Sequence, residues 1–370
     1  MPLMPARYIM IGGFLGAGKT TAMLRLGRHL ADRGVRVGLV TNDQSSGLVD
    51  TTLLKSSGFD VEEITGGCFC CRFGSLMDAA ERLTDRAAPD VFLAEPVGSC
   101  TDLKATVSYP LRRMYGENYS VAPFSVMVDA GRALRVLGVE KGRAFSPKVH
   151  YVYEKQLEEA DVLVINKVDD IDVGRVRALR TVLERRFPRA AIYEVSARTG
   201  AGLDAWFAQI TSSDDLAATN MDVDYDAYAE GEALLGWLNC TTNLMGPAFD
   251  GNAWLEKLAT DLQRRLHARG IEIAHLKMTM APNEGNDLAV VNAVTTTASP
   301  TAAFRLQSLV AEAELIVNLR AEGEPETLRL ETMDALAGAA SAAGLRSDVT
   351  HAEHFRPGRP VPTHRVVMTP

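Results

Sequence analysis

The sequence has no excess of basic residues and no long apolar run. Its formal net charge is −8 over 370 residues. Because nucleic-acid-binding proteins usually carry a basic patch or stripe, no nucleic acid is expected as a partner. A membrane-spanning helix needs about 20 successive apolar residues, and no run here reaches that length, so no membrane association is expected. The N-terminal residues also lack the charged and apolar regions of a signal peptide.

Cysteine is scarce and unevenly placed. The chain has five cysteines, and three of them fall within four positions, at Cys68, Cys70 and Cys71. A disulfide framework would instead show an even number of cysteines spread along a short secreted chain. The expected location is therefore the cytoplasm, where thiols stay reduced.

The remaining composition is that of a globular protein large enough for two domains. Hydrophobic residues make up 46% of the chain and charged residues 23%. Apolar runs alternate with helical periodicity over residues 1–212, which predicts an α/β domain with a mostly parallel sheet. The acidic residues 213–231 predict a solvated linker. Residues 232–370 predict a smaller C-terminal α+β domain, with helices on one face of a mostly antiparallel sheet.

Residues 13–20, GFLGAGKT, fit the phosphate-binding P-loop pattern G-x-x-x-x-G-K-[ST]. A strand-like apolar run precedes them and a helical pattern follows, which is the order that a P-loop NTPase domain requires. Lys19 is expected to act in catalysis by contacting the β- and γ-phosphates, and Thr20 to ligate Mg²⁺. The residues expected to bind the phosphates are Gly13, Gly16, Ala17, Gly18, Lys19, Thr20 and Thr21.

Two polar residues follow the next buried strand, predicted at residues 35–40. Ligands of a parallel α/β sheet bind at the carboxyl ends of its strands, so Asp43 and Gln44 are expected at the edge that holds the P-loop. Asp43 is a candidate for the Mg²⁺ shell, directly or through water, and Gln44 for positioning the attacking water. The alternative is an exposed turn.

The clustered cysteines lie in a strand-to-helix turn with the sequence GGCFCC, residues 66–71. A following helix N-terminus lowers thiol pKa values, and thiolates suit Zn²⁺ and similar ions. Cys68, Cys70 and Cys71 are therefore expected to bind a transition metal, with at least one coordination position left open for a transferable or catalytic ion. Inert buried cysteines and a redox pair are the alternatives.

A carboxylate and a glycine follow the strand predicted at residues 90–94. Glu95 is expected to hold an Mg²⁺-bound water or to polarise the nucleophile, and Gly98 to present its N–H group to the γ-phosphate. Cys100, two residues further on, is expected to be a buried structural thiol rather than a metal ligand.

The tetrapeptide NKVD, residues 166–169, ends another buried strand. N-K-x-D at such a position is the guanine-reading motif of GTPases, because the Asp169 carboxylate can accept bonds from the guanine ring N–H and exocyclic amine. Asn166 and Lys167 are expected to hold the loop against the base and the P-loop. Ser196 and Ala197, after the next strand, match the second guanine-contacting loop. The expected nucleotide is GTP.

Taken in order, GGFLGAGKT, GGCFCC, EPVG and NKVD resemble the CobW-type GTPases, which belong to a group that includes the HypB, UreG and MeaB types. The resemblance covers about residues 6–212. It implies a GTP-dependent metallochaperone or insertase in which the C-x-C-C cysteines bind Zn²⁺ or Co²⁺ and the nucleotide controls transfer. The residues on the motif positions are Lys19, Thr20, Cys68, Cys70, Cys71, Glu95, Asn166, Lys167 and Asp169.

The chain departs from the pattern of this group. The loop after the second strand reads Asn42-Asp43-Gln44, where the group usually has glutamates around an asparagine. Glu95 is followed by Pro96, where relatives often have Thr or Ser, and the His-rich stretch of many relatives is absent. These departures bear on which metal is handled and on whether an acidic switch loop links metal to nucleotide.

The second half contains few residues that suggest chemistry. His351 and His354 are three positions apart in a predicted strand, which puts them on opposite faces, so no metal site is expected there. Cys240 is expected in a strand core. Arg356, Arg359 and Arg365 are expected to contact the nucleotide domain or a partner protein, or else to lie in a solvated tail.

The sequence thus predicts a GTPase whose Mg²⁺-dependent hydrolysis controls delivery of Zn²⁺ or Co²⁺ to a client metalloprotein or a cobalamin-related system. The alternative is a nucleotide-switched regulator of a client metalloenzyme, with cysteines that are only structural. Slow intrinsic turnover is expected, because no arginine finger can be identified. A homodimer is compatible with the sequence, which does not fix the oligomeric state.

Overall fold

The computed structural model describes residues 5–42, 58–142, 144–214, 221–285 and 287–367. The chain divides into two units. The first contains Met1–Gly142, Ser146–Ala229 and Arg359–Pro370, and the second contains Arg143–Phe145 and Glu230–Gly358. Among the described residues, no helix is both long and apolar enough to cross a membrane.

The first unit is built on a parallel sheet. Its central strands are short apolar runs buried on both faces, as expected for strands covered by helices on either side, whereas the two edge strands are partly exposed. They are β1 (Ala6–Gly13), β2 (Val37–Asn42), β3 (Asp60–Ile64), β4 (Val91–Glu95), β5 (Tyr119–Val121), β6 (Ser125–Asp129), β7 (Val162–Asn166) and β8 (Ala191–Glu194). The order in the sheet is β3-β2-β4-β1-β6-β7-β8, with β5 beside β1. The pairings described are parallel.

Helices connect these strands and bury their apolar residues against the sheet. In the first of them, Ala22, Met23, Leu26 and Leu30 are buried at helical spacing. The helices are α1 (Lys19–Ala31), α2 (Phe73–Ala87), α3 (Tyr109–Tyr115), α4 (Ala130–Val136), α5 (Pro147–Glu158), α6 (Val173–Arg186), α7 (Leu203–Ser212) and α8 (Tyr225–Leu234), the last of which runs into the second unit.

The strand order decides which loops are neighbours. Because β3, β2, β4 and β1 are adjacent and parallel, their carboxyl ends lie side by side at one edge of the sheet. The register pairs Thr41 with Glu95 and Asn42 with Ile64. Ligands of parallel α/β sheets bind at this edge, so the fold brings the P-loop, the loop after β4 and the cysteine turn after β3 to neighbouring strand ends.

The second unit is an antiparallel sheet packed against two helices in one apolar core. Its strands are β9 (Leu235–Phe249), β10 (Glu272–Pro282), β11 (Ala289–Ala293), β12 (Thr301–Phe304), β13 (Val310–Glu322) and β14 (Arg346–Phe355), in the order β12-β11-β10-β13-β9-β14. The helices are α9 (Gly251–Ala268) and α10 (Pro325–Ala342). Leu258, Leu262, Met278 and Val317 are among the core residues, each at most 1% exposed.

The fold class expected from the sequence is confirmed, but the division of the chain differs in two places. The segment 213–231, predicted to be a solvated linker, contains the start of α8, where Tyr228 is fully buried. Residues 359–367, predicted to belong to the C-terminal domain, lie in the first unit. Acidic composition predicted solvation in the first case, but the apolar body of one tyrosine side chain outweighs it locally.

Candidate nucleotide and metal site

The phosphate loop, residues 13–20, joins β1 to α1. Gly13, Gly16 and Gly18 have φ angles of 125°, 77° and 96°, in a region that glycine adopts without the strain a side chain would cause. Helix α1 begins at Lys19, so the free N–H groups of its first turn lie next to this loop. The loop therefore has the backbone form that binds an anion.

Lys19 and Thr20 lie against Glu95. The Lys19 Nζ is 3.8 Å from Glu95 Oε1, and the Thr20 hydroxyl donates to the same oxygen at 3.1 Å. Lys19 is only 6% exposed and Thr20 only 8%, so bulk water screens these contacts little. A hydroxyl and a carboxylate oxygen are the hard donors that Mg²⁺ takes beside nucleotide phosphates, so the residues present fit this ion.

Asn166 and Lys167 connect the phosphate loop to the end of β7. Asn166 Nδ2 donates to the Ala17 carbonyl at 2.8 Å, and Lys167 Nζ donates to the Gly16 carbonyl at 2.8 Å. Asn166 Oδ1 accepts from the Ala197 N–H group at 2.9 Å. The Asn166 side chain thus joins the phosphate loop to the loop expected to contact guanine.

Asp169 follows in the same motif and is held by Arg198. Arg198 donates to Asp169 Oδ2 through Nε at 2.9 Å and through a terminal nitrogen at 2.6 Å. Burial opposes ionisation of this carboxyl, but hydrogen bonds from Ser196 and Arg198 outweigh it and hold the pKa of Asp169 below its usual range. The carboxylate is ionised and can accept the two N–H groups that guanine presents.

Sequence reasoning missed two buried charged residues beside the phosphate loop. Asp129 pairs with Lys167 at 2.7 Å, and Arg132 donates to the Leu15 carbonyl at 2.5 Å. Burial opposes ionisation of Asp129, but the charges of Lys167 and Arg132 hold its pKa below the usual range. Asp129 ends a buried strand, so the rule that singled out Glu95 would have found it.

The remaining nucleotide candidates have mixed outcomes. Asp43 and Gln44 lie outside the described residues, so their roles stay predictions. Thr21 is exposed on the first turn of α1. Gly98 is buried, and a Cβ atom there would lie 3.0 Å from the Leu15 nitrogen. Its backbone therefore lies against the phosphate loop, where a bond to a γ-phosphate requires it.

The cysteine loop, residues 66–71, follows β3 and leads into α2. The Cys68 Sγ is 2.7 Å from Cys70 Sγ and 3.2 Å from Cys71 Sγ, and the other pair is 3.7 Å apart. In the described part of the chain, these are the His, Cys, Asp and Glu side chains that converge as a potential metal site. A tetrahedral zinc with Zn–S bonds of about 2.3 Å sets its sulfurs about 3.8 Å apart, so Cys68 would move by roughly 1 Å to fit it.

Hydrogen bonds between the thiols favour one thiolate. Bonds from Cys100, Cys70 and Cys71 hold the pKa of Cys68 well below its usual range. The bond to Cys68 raises the pKa of Cys71 to about 11, and the bond to Cys100 is the largest cause of a raised pKa at Cys70. A thiolate is the form that binds a soft metal, and metal binding would release the protons of the other thiols.

Asn42, the last residue of β2, holds the cysteine loop. Its Nδ2 donates to the carbonyls of Ile64 at 3.0 Å and Gly67 at 2.7 Å, and its Oδ1 accepts from the Phe69 N–H group at 2.7 Å. One buried amide thus satisfies three backbone groups of β3 and this loop. The sequence showed Asn42 only as part of a departure from the family pattern, and a polar residue ending a buried strand was the signal available.

Residues 359–367, here called the return segment, pack on the cysteine loop within the first unit. The Val361 N–H group donates to Cys71 Sγ at 3.2 Å. Thr363 donates through its N–H group to the Cys70 carbonyl at 2.8 Å and through its hydroxyl to the Cys71 carbonyl at 3.0 Å. The ring of His364 packs edge-on against Phe73. No local pattern in the sequence predicted these contacts.

Arg365 anchors the return segment. Its Nε donates at 2.7 Å to Asp102 Oδ2, which also accepts from the Tyr225 hydroxyl at 2.7 Å. Asp102 is 2% exposed. Arg359 also pairs within the first unit, whereas Arg356 pairs within the second. Contact with the nucleotide domain, one of the environments expected for these arginines, is thus found for Arg359 and Arg365.

The family model of the CobW/HypB/UreG nucleotide-binding domain matches residues 7–194, half of the chain. The chain belongs to this family. This CobW/HypB/UreG member is 32% identical over 201 residues to the zinc chaperone CobW of a Sinorhizobium species, with 49% of this chain and 56% of that protein aligned. It is 30% identical over 165 residues to the zinc chaperone YeiR of Escherichia coli, with 44% and 47% aligned. The chain spans about half the length of the curated relatives it matches.

Solved structures of the same family also resemble the chain. Zn(II)-bound YjiA GTPase from E. coli aligns with 91% of this chain and 99% of its own, at 17% identity and a TM-score of 0.39. HypB from Helicobacter pylori in complex with nickel aligns with 55% and 85%, at 19% identity and a TM-score of 0.40. Sequence identities and TM-scores this low do not indicate a function. The family predicted from the sequence is confirmed by the family match.

Proposed function

We propose that this CobW/HypB/UreG-family protein is a GTP-binding and GTP-hydrolysing metallochaperone. Binding of Mg²⁺ and GTP controls delivery of Zn²⁺ or Co²⁺ to a client metalloprotein or to a cobalamin-related system. The observation that carries the proposal is the strand order β3-β2-β4-β1 in one sheet. The cysteine loop follows β3, Glu95 ends β4 and the phosphate loop follows β1, so all three lie at one edge of the sheet. The proposal is also supported by the relatives of this chain that are described as zinc chaperones.

We assign nucleotide binding to the phosphate loop, to Glu95 and to the guanine motif at residues 166–169. Lys19 and the N–H groups of the phosphate loop stabilise the phosphate charge. Asp169 selects guanine, with Asn166 and Lys167 holding its loop to the phosphate loop. Thr20 and Glu95 hold Mg²⁺, which supplies positive charge to the phosphates when bound.

Hydrolysis needs a positioned water as well. We assign this role to Gln44, with Asp43 in the Mg²⁺ shell, on the strength of their position directly after β2. We assign Glu95, at the end of the neighbouring strand β4, to orienting or polarising the nucleophile. Gly98 completes the γ-phosphate contacts through its N–H group.

The cysteine loop carries the metal as cargo. Three sulfurs from a single loop bind an ion firmly and can release it to a client that offers better ligands. Asn42 supplies the connection to the nucleotide, because it holds the cysteine loop at three backbone groups and directly precedes Asp43. A change in the loop after β2 on GTP binding would therefore reach the cysteines through one residue.

The experiment measures zinc and cobalt affinity by chelator competition in the presence of Mg²⁺ with GTP, GDP or no nucleotide, together with GTP turnover. The variant in which Cys68, Cys70 and Cys71 are all replaced by serine is expected to lose tight metal binding while still binding GTP. Metal affinity in the wild type should differ between GTP and GDP. Equal affinity and equal turnover in the triple variant and the wild type would contradict the proposal.

The contacts of the return segment favour a second candidate, a nucleotide-switched regulator whose cysteines are only structural. Cys68 and Cys70 are 7% and 1% exposed, and backbone donors from residues 361 and 363 already satisfy this loop. On this hypothesis the GTP-loaded protein binds neither Zn²⁺ nor Co²⁺ stoichiometrically. Metal analysis of the purified protein after incubation with each ion distinguishes the two functions.

A further inference from the structure

The loop after β4, residues 96–102, contacts both the phosphate loop and the cysteine loop. Near its start, Gly98 lies against the backbone of Leu15 in the phosphate loop, so closely that a Cβ atom would be 3.0 Å from the Leu15 nitrogen. Two residues later, the Cys100 thiol is hydrogen-bonded to the thiols of Cys68 and Cys70. This loop therefore contacts the phosphate loop at one end and the cysteine loop at the other.

The position of Cys100 is fixed by its surroundings. The residue is 2% exposed, and its N–H group donates to the Val97 carbonyl at 3.0 Å. Gln156 of α5 donates through Nε2 to the carbonyls of Gly98 at 3.0 Å and Cys100 at 2.8 Å. Gln156 thus ties the backbone of Gly98 to that of Cys100, whose thiol is bonded to the cysteine loop.

We propose that Cys100 is the fourth thiolate of the metal site, so that the ion is held by Cys68, Cys70, Cys71 and Cys100. Zinc prefers four tetrahedral ligands, and the three sulfurs of the C-x-C-C loop provide only three. The fourth sulfur comes from the neighbouring loop, where it already contacts two of the three. A four-sulfur site selects soft ions such as Zn²⁺ over hard ions such as Mg²⁺. This inference rests on the metal binding proposed above.

The fourth ligand also gives the nucleotide a direct way to act on the metal. Because one Gln156 amide bonds both carbonyls, a nucleotide that moves the backbone at Gly98 would also move Cys100. The site would then change from four sulfurs to three. A three-sulfur ion has an open position at which a client ligand can attack. This route does not pass through Asn42 or the loop after β2.

The test compares Cys100→Ala with the wild type in zinc affinity by chelator competition, with Cys240→Ala as the matched control. Cys240 is an equally buried cysteine in the second unit. Dividing the affinity of a structural zinc site among four ligands gives an expected loss on the order of 100-fold for Cys100→Ala, and none for Cys240→Ala. Unchanged zinc affinity in a folded Cys100→Ala protein would overturn the inference.

A measurement on the wild type keeps the inference testable if the variant does not fold. X-ray absorption at the zinc edge is expected to show four sulfurs at about 2.3 Å. A site with three sulfurs and one nitrogen or oxygen would overturn the inference. If the fourth ligand is a nitrogen that is lost in the His364→Ala variant, the fourth position belongs to the return segment instead. Failure of the wild type to bind any zinc would contradict the proposed function itself, which separates the two tests.

Discussion

The phosphate loop is held by residues at the ends of other strands of the same sheet, whereas the cysteine loop is also held by a segment about 290 positions further along the chain. Both loops belong to the same edge of that sheet. The phosphate loop depends on contacts from Asn166 and Lys167, which the guanine motif itself supplies. The cysteine loop depends on Asn42 and the return segment, neither of which belongs to the C-x-C-C motif. Damage to one loop should therefore be separable from damage to the other.

The largest expected effect is on the phosphate loop alone. Lys19→Ala removes the buried ammonium group beside Glu95, and loss of one such charge contact should lower GTP turnover on the order of 100- to 1,000-fold. Zinc affinity measured without nucleotide should stay at the wild-type value. Steady-state GTP hydrolysis and chelator competition give the two readouts, with the exposed Lys257→Ala as control. A parallel fall in nucleotide-free zinc affinity would show that the two loops are not separable.

The guanine end should show the next largest effect. Asp169→Asn replaces an ionised acceptor by an amide, which costs about 1.5–3 kcal/mol for bonds to a charged group, or roughly 10- to 100-fold in GTP affinity. The preference for GTP over ATP should fall with it. Nucleotide competition measures both quantities. The neighbouring Asp170→Asn, which also removes a carboxylate that pairs with Arg198, serves as the matched control and should keep the preference.

Asn42→Ala tests the connection between the two regions. The variant loses three hydrogen bonds to the cysteine loop and to β3, so the free energy of unfolding should fall by about 2 kcal/mol. Zinc affinity should fall about 10-fold, because the loop that carries the sulfurs is no longer oriented. Urea unfolding and zinc competition measure these effects, with Asn283→Ala in the second unit as control. If zinc affinity falls but its dependence on GTP persists unchanged, the nucleotide acts through the loop after β4.

The smallest effect is expected in the return segment. Arg365→Ala leaves the buried Asp102 with the Tyr225 hydroxyl as its described donor, and should cost about 1–2 kcal/mol. Looser attachment should speed the alkylation of Cys71 by iodoacetamide several-fold, because its sulfur loses the protection that residue 361 provides. Arg359→Ala is the matched control, since its partner Asp226 is largely exposed. Equal alkylation rates in both variants and the wild type would show that the segment does not protect the site.

Much of the candidate nucleotide site could be predicted because it is built from short runs of sequence. GFLGAGKT and NKVD each place their functional atoms through local backbone form, and the structure brings Ala17 and Asn166 together as the motifs require. The same reasoning did not find Asp129, although it ends a strand at the same edge. Asp43 and Gln44 stay predictions, because they lie outside the described residues.

The cysteine site was predictable only in part. The three sulfurs of C-x-C-C follow from spacing, but Cys100 was expected to be a structural thiol, since no spacing relates it to a loop 30 residues earlier in the sequence. Its contact with Cys68 arises where the loops after β3 and β4, two strands apart, meet at the same edge of the sheet. The prediction of a solvated linker at residues 213–231 failed for a similar reason. It was based on acidic composition and did not consider Tyr225 and Tyr228, which pack in the first unit.

The sequence by itself determined the family, the parallel α/β domain and the motifs that we propose contact phosphate and guanine. These are local properties, since glycine conformations, strand–loop–helix order and a carboxylate at a strand end are all encoded within a few residues. Only the tertiary structure decided that Asn42 holds the cysteine loop, that Cys100 meets it and that the return segment packs on it. Those contacts depend on which strands are neighbours and on where the chain returns after the second unit, and these are set by packing of the whole molecule.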